Sequence, residues 1–272
     1  MERIISAANA KIKLAAGLHR HKNRAAAKQF VAEGVRLVEM AAAADWPIVF
    51  GLCTPAAAMD ARVTAILEKL AARNCPVYEV DEVIYRKAAD TQEPQGLLLV
   101  MEQRRALLPE LLAQPQPLIV VLDGIQDPGN AGTILRTADA AGCTGVVFME
   151  NTVDLFSDKT VRAAMGSLFH VPAADQVSVA ELLQVVDEKQ LRLYATALDA
   201  DARPHFAADY REPAMIVFGN EGQGVSAPLL TAAEKLYIPM AGQAESLNVA
   251  AAAAVVLYEA LRQRCYTSSQ QR

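Results

Sequence analysis

At 272 residues, 53% hydrophobic and 21% charged, the chain is long enough for two compact domains and too apolar for a disordered protein. Its longest uncharged apolar run, Val249 to Tyr258, is about half of the ~20 residues that a bilayer crossing needs, and Met1-Glu2-Arg3-Ile4-Ile5 has no secretory apolar core, so a cytoplasmic protein is expected. The net charge of −5 argues against a protein that coats nucleic acid indiscriminately, and Cys53, Cys75, Cys143 and Cys265 form no clustered zinc site, so buried free thiols and no metal are expected.

The charge is unevenly spread. From Lys11 to Arg36 there are seven basic residues, Lys11, Lys13, Arg20, Lys22, Arg24, Lys28 and Arg36, against the single acid Glu33, with His19 and His21 among them. Val35 to Ala44 and Ala61 to Ala72 have helical rhythm. Ile48 to Cys53, Val77 to Val80 and Gly96 to Met101 are short apolar runs bounded by Pro, Gly or acids, as strands are. Pro109, Pro115 and Pro117 then fall within nine residues and cannot continue a helix or central strand, which sets the expected division: a domain at 1–105, a linker at 106–117 and a second domain at 118–272.

The second half opens on Leu118-Ile-Val-Val-Leu122, the continuous apolar run of a strand buried on both faces. A helix over Thr133 to Ala141 and a strand over Gly145 to Met149 follow. Further strands are predicted at Arg192 to Leu198, Ala214 to Phe218 and Lys235 to Pro239, with helices at Val179 to Lys189 and Ser226 to Ala233 between them, and a final Ala-rich helix from about Ser246 to Arg264. Strands alternating with helices predict an α/β fold with a parallel sheet, whose ligands sit where loops leave the carboxyl ends of the strands.

Three such loops carry unusual residues. The first, Asp123 to Gly132, holds three glycines, Pro128 and Asn130, and runs into a helix bearing Arg136. Alone it fits a polar turn with Arg136 on a solvated face as well as a site with Arg136 turned towards it. The second, Phe218-Gly-Asn-Glu-Gly-Gln-Gly224, has glycines that admit a ligand close to backbone and Glu221 as its one charge. It lacks the Lys-Ser/Thr of a phosphate-binding loop and the spacing of a dinucleotide fingerprint, which excludes a dinucleotide-dependent oxidoreductase; a tight turn capped by Ser226 is the plainer alternative. In the third, Ile238 to Val249, Ser246 fits an ordinary helix cap as well as a functional role, whereas an Asn at 248 inside a helix would need something for its amide to bind. Between these loops Lys159 and Arg162 lie one helical turn apart, a spacing that suits a phosphate backbone or a solvated basic face.

Taken together, Asn130-Ala-Gly-Thr-Ile-Leu-Arg136, Phe218 to Gly224 and Ile238-Pro-Met to Ser246-Leu-Asn248 resemble, in order and spacing, the three motifs of the SpoU (TrmH) family of RNA ribose methyltransferases. Phe30-Val-Ala-Glu-Gly-Val-Arg36 and Thr91-Gln-Glu-Pro-Gln-Gly96, with the basic stretch, resemble the ribosomal-protein-like domain fused to members that act on ribosomal RNA. The resemblance implies a SPOUT-type parallel sheet with a deep trefoil knot, a smaller N-terminal α/β RNA-binding domain, a homodimer, and S-adenosylmethionine as methyl donor to a ribose 2′-hydroxyl, most naturally in 23S rRNA.

It also assigns roles. Asn130, Arg136, Glu221, Ser246 and Asn248 become the catalytic set. Arg136 would stabilise the developing alkoxide as a charge, since a protonated guanidinium is a poor base. Asn130 would orient Arg136 or the ribose, Ser246 and Asn248 would place the substrate, and Glu221 would organise the second loop. Phe218, Gly219, Asn220, Gly224, Ile238, Met240 and Leu247 would receive the cofactor, and Lys22, Arg24, Lys28, Arg36, Lys159 and Arg162 the RNA. A tRNA ribose methyltransferase and a non-catalytic ribosome-assembly factor are the alternatives.

Overall fold

The computed structural model describes residues 1–266 and divides into two compact units, one of residues 1–104 with 156–169, the other of residues 105–155 with 170 onwards. The first unit is a mixed five-stranded sheet flanked by helices. Its strands, β1 (Glu2–Ile4), β2 (Gln29–Glu33), β3 (Ile48–Cys53), β4 (Val77–Val80) and β5 (Leu97–Glu102), lie in the order β1-β4-β3-β5-β2. β4 pairs in parallel with β1 and β3, while β5 runs antiparallel to β3 and β2. The expected helix over 61–72 forms as Ala61–Ala72, started by Asp60, whose carboxylate accepts from the Arg62 and Val63 N–H groups. Phe156 and Trp46 pack ring to ring on Phe30, and Phe169 packs on Trp46, which explains why the 156–169 stretch belongs to this unit although it lies within the second half of the sequence.

The second unit is built on a parallel sheet of β6 (Leu118–Asp123), β7 (Gly145–Met149), β8 (Ala173–Val177), β9 (Arg192–Thr196), β10 (Arg203–Pro204), β11 (Ala214–Gly219) and β12 (Glu234–Tyr237), ordered β10-β12-β9-β11-β6-β7-β8. The chain runs outward from β6 to β8, then crosses to β9 and returns to insert β11 between β9 and β6. One face packs Ile119, Val121, Val147, Met215 and Val217 against Leu182 and Leu229 of the helices that follow β8 and β11. The alternate residues Val120, Leu122, Ile216 and Phe218 are equally buried, on the side of the Pro128–Ala140 and Val249–Cys265 helices. Burial on both faces is why these strands read as unbroken apolar runs. No helix among the described residues is long and apolar enough to cross a membrane.

Several boundaries differ from expectation, each for a local reason. The first helix of the second unit begins at Pro128 and not at Thr133: Pro128 occupies the first turn, where no N–H is needed, and Asp127 caps it by accepting from Asn130 N. Asn130 therefore sits on a helix and not in a free loop. The last helix begins at Val249, and its cap is Asn248, not Ser246. The stretch expected as a linker carries a short helix, Leu108–Leu111, whose two leucines are buried in the second unit's core. Cys53 and Cys143 are buried thiols as expected, but Cys75 is only half-buried and Cys265 is exposed.

Candidate active site

β6 and β11 pair in register to their ends, Phe218 beside Leu122 and Gly219 beside Asp123, so their loops leave the sheet side by side. That register is what joins residues about 90 positions apart. Asp123 accepts from Ser226 N at 2.7 Å, and the Asn220 amide donates to Gly124 O at 2.8 Å. The second loop is closed on itself. Asn220 and Gly224 exchange two backbone hydrogen bonds of 2.9 Å, and Asn220 Oδ1 accepts from the Gly222 and Gln223 N–H groups. Gly219 has no room for a side chain, since a Cβ there would lie 2.1 Å from Val225 N. Gly224 adopts φ +73°, in the left-handed region that favours glycine.

Glu221 does more than organise its own loop. Its carboxylate accepts from Gln126 N and Asp127 N, both at 3.2 Å, and from Asn130 Nδ2 at 3.0 Å, so it clamps the second loop to the first. Asn130 Oδ1 in turn accepts from Asn248 Nδ2 at 3.0 Å, and Asn248 Oδ1 caps the last helix by accepting from Ala250 N at 2.9 Å. One hydrogen-bonded chain, Glu221–Asn130–Asn248, thus ties all three loops together. Partial burial works against the Glu221 charge, but the Asn130, Gln126 and Asp127 donors outweigh it and hold the carboxyl below its ordinary range. Asn248 both caps a helix and reaches a partner, which resolves why an Asn precedes the alanines.

Beside this chain lies a cavity of about 580 Å³. Its wall is formed by Gly219 to Gly224 of the second loop, Tyr237, Ile238 and Met240 after β12, and Ser246 to Val249 at the last helix. Of the residues expected to receive a cofactor, Gly219, Asn220, Gly224, Ile238, Met240 and Leu247 line it. Phe218 does not: its side chain is fully buried in the sheet, leaving only its place in the backbone next to the cavity. Thr196, Ala197 and Leu198 also line the cavity and were missed, although they follow β9 and the rule of carboxyl strand ends covers them too. Gln126 was missed as well, and braces the first loop through Gly124 O and Asn151 O.

The lining contains no Lys or Arg, and its one acid, Glu221, is already committed to three donors. Such a wall suits a nucleoside that carries no phosphate, with Leu198, Ile238, Met240 and Leu247 offering apolar surface and the glycine-rich backbone offering N–H and C=O groups. The residues present therefore fit S-adenosylmethionine. Ser246 is exposed at the rim. Arg136 stands apart: it is exposed on its helix, is not part of the lining, and makes no hydrogen bond or ion pair among the described residues.

The RNA-contact expectations fare unevenly. Lys22, Lys28, Arg36 and Lys159 are exposed on the first unit. Arg162 is half-buried and pairs with Asp90 at 2.8 Å. Arg24 is corrected from a surface contact to an interior one: it is 4% exposed, donates to Leu18 O and lies 3.9 Å from Asp158. A helix turn of Ala residues after it, Ala25 to Ala27, turns outward in its place.

The sequence matches the SpoU rRNA Methylase family over residues 117–258 and the MRM3-like substrate binding domain over residues 9–99. It is 36% identical over 263 residues to the 23S rRNA (guanosine(2553)-2′-O)-methyltransferase RlmP of Bacillus subtilis, covering 95% of this chain and 98% of that protein. It is 30% identical to the 23S rRNA (uridine(2479)-2′-O)-methyltransferase of Streptomyces viridochromogenes, covering 96% of this chain and 93% of that one. The fold is similar, at a TM-score of 0.86 and 33% identity, to an AdoMet-bound rRNA methyltransferase from Sinorhizobium meliloti, covering 98% of this chain and 99% of the other.

Proposed function

This chain belongs to the SpoU rRNA Methylase family, and on that footing we propose that it methylates a ribose 2′-hydroxyl of 23S rRNA with S-adenosylmethionine as donor. The observation that carries the reading is the Glu221–Asn130–Asn248 chain beside a cavity whose lining holds no Lys or Arg. The cofactor, when bound, supplies a methyl group on a sulfonium that is already a good leaving group. What remains for the protein is to place and activate a weakly acidic hydroxyl.

Glu221 fixes Asn130, and Asn130 fixes Asn248, so two amides are held rigidly at the cavity mouth, with Ser246 at the rim to take the ribose or its phosphate. Arg136 is the free cation that stabilises charge developing on the oxygen. The exposed Lys22, Lys28, Arg36 and Lys159 hold RNA on the first unit, which acts as the substrate-binding domain, with the methyltransferase domain following it. The last helix exposes Ala251, Val255 and Tyr258 at helical spacing, an apolar stripe suited to a homodimer interface. We place the chain threading of this domain in the knotted class of its family, and the protein in the cytoplasm, where RNA and donor are found.

The test is Arg136→Ala. Calorimetric binding of S-adenosylmethionine is expected to stay within about threefold while 2′-O-methylation of 23S rRNA falls by about 100-fold or more, the usual cost of losing one such charge. Full methylation by the variant would remove Arg136 from the mechanism. Failure of the unaltered protein to methylate protein-free 23S rRNA, when it methylates tRNA instead, would move the substrate.

A further inference from the structure

From the turn after the Ala10–Gly17 helix into the His21–Ala27 helix, the chain alternates direction. His19 and Arg24 turn inward, whereas Arg20, His21 and Lys22 are exposed. Both inward side chains meet one carboxylate. Asp158 Oδ1 lies 3.0 Å from His19 Nδ1, and Asp158 Oδ2 lies 3.9 Å from the Arg24 guanidinium, which also donates to Leu18 O at 2.8 Å.

The other His19 nitrogen, Nε2, lies 2.9 Å from the Ala88 carbonyl oxygen. A carbonyl and an ionised carboxylate only accept, and a neutral imidazole has a single N–H. A neutral His19 would therefore turn a lone pair towards one of its two partners; only the imidazolium donates to both. Asp90 is the second acid facing the ring, and it carries Arg162 at 2.8 Å. Burial opposes the charge, but the Asp158 bond and charge, the Ala88 carbonyl and Asp90 outweigh it and raise the ring above its ordinary value. His19, Asp90 and Asp158 lie near enough to share a cation. Arg24 and Arg162 already neutralise the two carboxylates, so a proton suits the site and a metal ion does not.

We propose that Asp158 is a positioning residue for RNA: gripping Arg24 and a protonated His19 from inside, it holds Arg20, His21 and Lys22 outward as a preformed basic edge. Release of the His19 proton loosens that edge. The inference rests on the reading of the first unit as the RNA-holding part. The sign follows from a raised histidine: its contribution is complete below the ordinary value of about 6.5 and is lost as pH rises through the folded value, while Lys and Arg remain charged. RNA affinity therefore falls as pH rises through the raised His19 value.

The experiment measures affinity of the full chain for protein-free 23S rRNA at constant ionic strength from about pH 6 to about pH 9, in a His21→Gln background so that the exposed imidazole is silent. Affinity is expected to fall roughly tenfold across the range, the size of one lost charge-assisted hydrogen bond. Adding His19→Gln, or Asp158→Asn, is expected to lower affinity by a similar factor at the acid end and to flatten the profile, with a retained cooperative unfolding transition of the whole chain as the sign of a folded protein. A slope that survives in His19→Gln, or a flat profile with His19 intact, overturns the proposal. Should the variants not fold, the nitrogen-15 spectrum of the His19 ring in the unaltered chain, followed over the same pH range, decides: loss of the second ring proton above the ordinary value of about 6.5 supports it, loss at or below that value overturns it. Lys22→Glu separates the two levels. If it weakens rRNA binding while His19→Gln does nothing, only this inference falls; if neither matters, the reading of the first unit falls with it.

Discussion

Replacing Gly219 by Ala is a sharp test of how the sheet builds the cavity. A Cβ at this position would sit 2.1 Å from Val225 N and 2.2 Å from the Gly224 carbonyl carbon, both backbone atoms, where ordinary contact starts at 3.4 Å. β11 cannot yield, because β6 and β9 pair with it on both sides. The 220–225 loop must retreat instead, by roughly 1 Å or more in a closely packed surrounding. That movement pulls on the two 2.9 Å Asn220–Gly224 bonds, each contributing about 1 kcal/mol net. Overpacking adds about 1–3 kcal/mol. The same loop is one wall of the cavity, so about half of the total, on the order of 2 kcal/mol, appears as lost cofactor affinity, close to 30-fold. Calorimetry with S-adenosylmethionine measures this, and thermal unfolding, expected to fall by several degrees, measures the remainder. An Ala variant that binds the cofactor within about threefold, at unchanged unfolding temperature, would refute the claim that Gly219 sets the loop.

Three further outcomes are expected. Glu221→Gln keeps the shape of the clamp but turns its amide NH2 either towards the Gln126 N–H or towards the Asp127 N–H and the Asn130 amide, which donate to the other oxygen; methylation should fall about 10- to 100-fold through misplaced Asn130 and Asn248, with cofactor affinity changed by less than about fivefold, and kcat within twofold would sink the clamp. Because the Glu221 carboxyl is held below its ordinary range, its contribution is present above that range and is lost only as pH falls through the lowered value, so single-turnover rates should show no loss from this group down to about pH 5. Burial pushes Cys143 up to about 12 and Cys53 up to about 11, so a thiol reagent near pH 8 should label exposed Cys265 first, Cys75 more slowly, and the other two only on unfolding; rapid labelling of Cys143 in the folded chain would contradict its burial.

Legibility in the sequence followed the physics of each segment. β6 and β11 were readable because both faces are buried, leaving runs such as Leu118-Ile-Val-Val-Leu122 and Ala214 to Phe218 with no polar interruption. β8, Ala173–Val177, was not, since Asp175 and Gln176 in its middle break any apolar pattern at the sheet edge. Asn130, Glu221 and Asn248 were nameable as residue types in three loops, but not as one chain, because their contact depends on the in-register pairing of β6 with β11. Phe218 and Arg24 show the opposite limit. A motif position says that a residue matters without saying which way it points, and both side chains turn into the interior. Charge counting gave Arg24 to the RNA because a cation in a basic run is expected in solvent; Asp158, more than a hundred positions away, reverses that.

Arg136 is where the proposed chemistry and the proposed homodimer meet. It follows Asn130 by six residues on the same helix, about 600° of rotation, and so leaves the helix on a different side from the amide that Glu221 holds. Asn130 is committed to the cavity side, whereas Arg136 is exposed and unbonded. Its helix packs against the last helix, the one whose Ala251, Val255 and Tyr258 are exposed. The proposed role of Arg136 and the proposed homodimer are thus a single question. A substrate hydroxyl that touches both Arg136 and the amides needs a second wall opposite the Pro128–Ala140 helix, and the uncovered stripe lies on the adjoining helix, where a second subunit would have to pack to provide it.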